Sequence, residues 1–207
     1  PLYLEHTIVE IKGKERVESV VIAQVDKAKK PIAGTEREIA CDTVLFSVGL
    51  IPENELTKRA GLSLDPRTKG CVVDGNRETD IQGIFACGNV LHVHDLVDFV
   101  SEEAEVAGRA AAEYLIRGEG ERAYLPTVSG ENVTYVLPQR AERGKDVKLY
   151  FRVRSAFRGA VIRVETGSAV KTYKRIAVAP GEMENVTVKA ADLADAHDIK
   201  ISVVREA

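Results

Sequence analysis

A chain of 207 residues with 44% hydrophobic and 29% charged residues is long enough for one large or two smaller globular domains, each with a real core. A net charge of −3, no tryptophan and only 5% aromatic residues argue against the basic, base-stacking surface of a nucleic-acid binder. No apolar run is long enough to span a bilayer. Three cysteines, Cys41, Cys71 and Cys87, without CxxC spacing, point to a reducing cytoplasm rather than a disulfide framework.

In chain order, the first segments are strands. PLYLEHTIVEIKG has no basic region leading into an apolar stretch, so it is not a signal peptide, and its lack of an initiator Met suggests a cut or processed start. LEHTIVEI and RVESVVIAQV concentrate Val, Ile and Thr on either side of a break at Lys12-Gly13-Lys14. KAKKPIAGTERE is a polar loop. TVLFSV, residues 43–48, is a nearly continuous apolar run and reads as a strand buried on both faces of a parallel sheet, ended by Gly49 and Pro52. ENELTKRAGL then reads as a short helix stopped by Gly61, and CVV as a short strand.

GIFACGNV, residues 83–90, is a further short apolar strand ending in small residues. The longest helix is expected from about Asp95, with an apolar face of Val97, Val100, Ala104, Ala107, Ala111 and Leu115. Asp95 and Asp98 are candidate caps at its start and Gly118 at its end. Gly108 inside the helix suggests close backbone packing against a sheet. Beyond residue 124 helical periodicity stops. VTYVL, VKLYFRVR, AVIRVE, VKTYKRIAV, NVTVKA and IKISVV arrive at the spacing of an antiparallel, immunoglobulin-like β-sandwich, with GEGERAYLPT as linker.

The chemistry concentrates at GIFACGNV. A strand ending in small residues lets a ligand approach the backbone, and Gly88 removes the side chain that would block it. A following helix offers free N–H groups to a phosphate, and Asn89 has a donor and an acceptor for a sugar hydroxyl. This suits a dinucleotide. His92-x-His94-Asp95 raises the question of a metal, but a catalytic zinc site needs about three protein ligands, so no metal is assigned and the pair is read as lining the cofactor edge. Cys87 reads as a small residue packed under a ligand rather than a reactive thiol. The Asn-x-Thr sequons at Asn132 and Asn185 are chance matches. Lys171, Lys174 and Arg175 read as a solvated sheet face.

CDTVLFSVGLIPENEL, then TDIQGIFACGNV, then SEEAEVAGRAAAEYL resemble, over about residues 38–117, the closing FAD-binding segment of pyridine nucleotide–disulfide oxidoreductase-type flavoproteins. The resemblance implies a partial α/β, Rossmann-like lobe. Residues 1–37 would be the tail of an inserted NAD-binding domain, residues 38–120 the C-terminal segment of the FAD-binding domain, and residues 125–207 the sandwich. It implies FAD as cofactor, NAD(P)H as electron donor, and cofactor contacts from Gly49, Gly88, Asn89, Val90, Val100 and Ser101. The family has an acidic residue where this chain has Asn89. Neither a GxGxxG turn followed by a helix nor a redox CxxC pair is present, and Gly118-Glu119-Gly120-Glu121 follows a helix rather than opening one. The expected function is therefore the C-terminal portion of a flavin-dependent NAD(P)H oxidoreductase, inactive alone. Its expected partners are an N-terminal FAD/NAD-binding half or partner subunit, with homo-oligomers possible. The competing expectation is a non-catalytic assembly module with a vestigial nucleotide lobe.

Overall fold

The computed structural model describes residues 1–118, 120 and 122–206. Glu119 and Glu121 of the expected linker lie outside the described residues. The chain divides into two compact units, Pro1–Gly49 and Leu50–Ala207.

The first unit is an antiparallel meander of β1 (His6–Lys12), β2 (Ser19–Gln24) and β3 (Arg37–Ala40). Its first two strands are those the β-branched runs predict. The central strand β2 is buried from Ser19 to Ala23. Past β3 the expectation of a parallel-sheet strand fails: residues 43–48 form no strand, and Leu45 is 91% exposed. An apolar run becomes a buried strand only where neighbouring strands take its N–H and C=O groups. Among the described residues none does.

In the second unit α1 (Glu55–Arg59) is followed by a series of turns with isolated bridges, Leu64 to Cys71 and Glu78 to Phe85. CVV and GIFA thus contribute single bridges rather than strands of a Rossmann-like sheet. The fold is mostly β with few helices.

The long helix α2 spans Val97–Arg117, so it begins two residues later than expected. Neither Asp95 nor Asp98 caps it through its side chain: Leu96 occupies the cap position. Asp95 instead accepts hydrogen bonds from Arg152 and from the Met183 N–H. Gly118 does close the helix, its N–H bonding the Tyr114 carbonyl at 2.8 Å. The expected buried face of small residues is largely absent. Only Glu103 and Ala107 of α2 are buried, Leu115 is 84% exposed, and a Cβ at Gly108 would meet no atom beyond its own helix.

The remainder is a two-sheet sandwich. One sheet has the order β10 (Glu184–Val188), β7 (Val147–Val153), β5 (Val133–Leu137), all antiparallel. The other runs β6 (Arg140–Glu142), β4 (Tyr124–Ser129), β11 (Ile199–Arg205), β8 (Phe157–Thr166), β9 (Ala169–Val178). It is mixed, because β4 and β11 pair in parallel, which corrects the all-antiparallel expectation. Strand β4 also takes up the last four residues of the expected linker, Tyr124 to Thr127: Tyr124–Pro126 pair with β6, Thr127–Ser129 with β11, and Leu125 is buried. Proline's missing N–H falls where the partner changes, so no ladder bond is lost.

Alternate residues of each inner strand fill the core: Leu149, Phe151 and Val153 from β7, Ala160, Ile162 and Val164 from β8, Ile199, Ile201 and Val203 from β11. The opposite face of the three-stranded sheet carries α2. Lys148 and the Tyr150 hydroxyl both reach Glu102, and Arg152 reaches Asp95 and the Val93 carbonyl. A second, smaller core joins Leu62, Cys71, Val73 and Leu91 to Tyr135 and Leu137 of β5.

Candidate functional site

The GIFACGNV segment ends in a single 3-10 turn, Gly88–Val90. It turns because Gly88 sits at φ +73°, a left-handed conformation that L side chains rarely adopt. The Gly88 carbonyl accepts the Leu91 N–H at 2.9 Å, Asn89 Oδ1 accepts the His94 N–H at 3.1 Å, and the Val90 carbonyl accepts the Asn54 side-chain amide at 2.9 Å. Directly beneath, Gly70 lies so near the Leu91 carbonyl that a Cβ there would stand 1.9 Å from its oxygen. Val100, in the first turn of α2, lies 3.4 Å from where a Cβ on Gly88 would sit.

The structure therefore brings Gly88, Asn89, Val90 and Val100 into one neighbourhood. Ser101 follows Val100 on α2 with an exposed side chain. Gly49, at φ +83°, closes the first unit. Beside the turn, a cavity of about 630 Å³ is lined by Leu56, Leu62, Cys71, Ile84, Phe85 and Cys87 among others. Cys87 is half-buried, and burial, then the charge of Glu103, pushes its thiol above the ordinary range. That is the opposite of an activated nucleophile.

The residue that organises the turn is one the sequence does not advertise. Glu103, on the second turn of α2, is fully buried. Its carboxylate accepts the Gly88 N–H at 2.7 Å and Arg77 Nε at 2.8 Å, and lies 3.0 Å from His94 Nε2 and 3.6 Å from His92 Nε2. Burial alone would raise its pKa. The histidine contacts and the Arg77 charge outweigh that and hold it well below the usual carboxylate range. Burial lowers the pKa of His92, which keeps the ring neutral, and its Nδ1 faces the Tyr135 hydroxyl at 3.2 Å. Tyr150 packs edge-on against both histidine rings.

A charged residue among SEEAE reads as a solvated helix face. The available signal was Glu103 lying one turn from Ala107, on the helix's one buried stripe. Arg77, Asn54, Tyr135 and Tyr150 had no sequence signature, because each acts through contacts distant along the chain.

Residues 2–113 match the pyridine nucleotide-disulphide oxidoreductase family, more than half of the chain. The chain belongs to this family. The family carries FAD and uses NAD(P)H. Among its relatives, thioredoxin reductase of Treponema pallidum (strain Nichols) is 32% identical over 111 residues, 53% of this chain and 33% of that protein. The ferredoxin reductase component of chlorobenzene dioxygenase from Cupriavidus sp. (strain PS12) is 25% identical over 194 residues, 81% of this chain and 46% of the relative. A nitric oxide reductase FlRd-NAD(+) reductase of Shigella boydii serotype 18 is 27% identical over 129 residues, 62% of this chain and 31% of the relative. The chain thus spans from about a third to about half the length of these curated relatives. Among the described residues no helix is long and apolar enough to cross a membrane.

Proposed function

We propose that this chain is the C-terminal portion of an FAD-dependent NAD(P)H oxidoreductase and supplies the closing half of the flavin site. In this reading residues 1–37 are the tail of an inserted NAD-binding domain, residues 38–120 the last segment of the FAD-binding domain, and residues 125–207 an immunoglobulin-like sandwich. The observation that carries it is the left-handed Gly88 turn, packed on Val100 within a family match over residues 2–113. Gly88, Asn89 and Val90 would hold the ribityl side of the cofactor, Val100 and Ser101 would approach the ring, and Gly49 would lie near it. When bound, FAD would supply the redox chemistry, with NAD(P)H as the electron donor. The chain's own residues bind and orient. The unpaired apolar stretch at residues 43–48 supports completion by an N-terminal half or partner subunit, whose neighbouring strands it would join.

One observation favours the second reading, a non-catalytic assembly module. The Gly88 N–H and Asn89 Oδ1 are already engaged, by Glu103 and the His94 N–H. A cofactor would have to use other groups of the turn.

The test is an absorption spectrum of the natively purified chain before and after FAD, then desalting. A retained flavin spectrum, weakened by Asn89→Ala, supports the flavin reading. A chain that stays colourless alone and also with a separately expressed N-terminal half of a family relative would leave the module.

A further inference from the structure

We propose that His92, His94 and Glu103 form a binding site for a divalent transition-metal ion of the zinc class. One ligand atom from each lies within 4.8 Å of the others, and all three residues are buried. His94 Nε2 to Glu103 Oε2 is 3.0 Å and His92 Nε2 to Oε1 is 3.6 Å. Two ligands of a tetrahedral ion with bonds of about 2.0–2.1 Å stand about 3.3 Å apart, so these separations bracket what a metal requires.

A second observation points to a ligand. His92 is 1% exposed, yet its Nε2 has no hydrogen-bond partner while aimed at the Glu103 carboxylate. A sealed, unpartnered nitrogen costs on the order of 1–3 kcal/mol, and a bound ion would satisfy it. The other nitrogen of the same ring faces Tyr135 Oη at 3.2 Å, the outer contact that fixes the ring of a metal-binding histidine. On Glu103, Arg77 and the Gly88 N–H each take one lone pair of a different oxygen, leaving one on each for the histidine side. Two imidazoles and one carboxylate suit zinc, cobalt or nickel rather than calcium or magnesium, which prefer all-oxygen shells. The Arg77 charge beside Glu103 offsets part of the attraction, so binding is weaker than at an all-thiolate structural site. This site does not depend on the flavin reading.

The experiment uses the full chain, stripped with chelator and titrated with Co²⁺. One equivalent should bind with the visible d–d bands of tetrahedral cobalt, bleached by Zn²⁺. His94→Ala should abolish the bands. Tyr135→Phe, which removes only a hydroxyl, should weaken binding about 10- to 100-fold while leaving the circular dichroism spectrum unchanged. Absence of stoichiometric cobalt and zinc binding to the folded wild-type chain would overturn the proposal. So would bands that persist in a folded His94→Ala or are indifferent to Tyr135→Phe, since the ion would then sit elsewhere.

Discussion

Adding one methyl group at Gly70 and at Gly108 should have opposite effects on the same unit. At Gly70 a Cβ would stand 1.9 Å from the Leu91 carbonyl oxygen and 2.4 Å from the Leu91 Cα and carbonyl carbon. These are backbone atoms of a residue with no exposed surface, anchored to the Gly88 carbonyl at 2.9 Å, so no flexible side chain can move aside. Overpacking a well-filled site costs about 1–3 kcal/mol, more when backbone must shift, so Gly70→Ala should lose about 3 kcal/mol. For a unit of this size each kcal/mol is worth roughly 2–4 °C, giving a fall of about 6–12 °C in melting temperature. At Gly108 the added Cβ meets nothing beyond its own helix, and alanine in a helix interior is better than glycine by up to about 1 kcal/mol. Gly108→Ala should therefore raise the melting temperature by about 2–4 °C. Urea and thermal denaturation of both variants beside the parent read the two signs. A Gly70→Ala protein within 1 °C of the parent, or a destabilised Gly108→Ala, would refute the close approach at one site or the open surface at the other.

Asp74 is buried and accepts the Asn76 N–H, the Glu78 N–H and the Tyr124 hydroxyl, so Asp74→Ala should cost about 2–4 kcal/mol in urea unfolding. A loss below about 0.5 kcal/mol would contradict that network. Burial, reinforced by the Asp74 charge and opposed by Arg122, raises the Tyr124 phenol above its usual value near 10. The neutral phenol is thus favoured in the folded state. The stability it contributes is fully present below the unfolded value and lost as pH rises through the folded one. The urea midpoint should accordingly fall above about pH 10, less steeply in Tyr124→Phe. Burial pushes both Cys71 and Cys87 upward, so at neutral pH both thiols should react with a chromogenic disulfide more slowly than free cysteine. Rapid labelling of Cys87, seen by mass spectrometry, would contradict its placement.

Period-two alternation determined the inner strands of the sandwich from sequence alone, though not the parallel pairing of β4 with β11. Leu149, Phe151 and Val153, or Ile199, Ile201 and Val203, can bury one face only as strands, and both segments are strands. Gly88 reads in the sequence as an opening for a ligand; the left-handed turn it makes, which glycine adopts without steric cost, came with the tertiary structure. So did burial and partnership. Residues 43–48 carry a strand's composition without a strand's neighbours, and α2 carries an apolar stripe of which Leu115 remains in solvent. Strand β4 looked like a linker because only its change of partner at Pro126 makes room for proline. Glu103 shows the difference most clearly. As a residue on a charged helix its default is water. The tertiary structure instead encloses it with Arg77, the Gly88 N–H and two histidines, 26, 15, 11 and 9 positions away along the chain. No local pattern encodes that, because a charge is buried only when distant groups converge to replace the water it gives up.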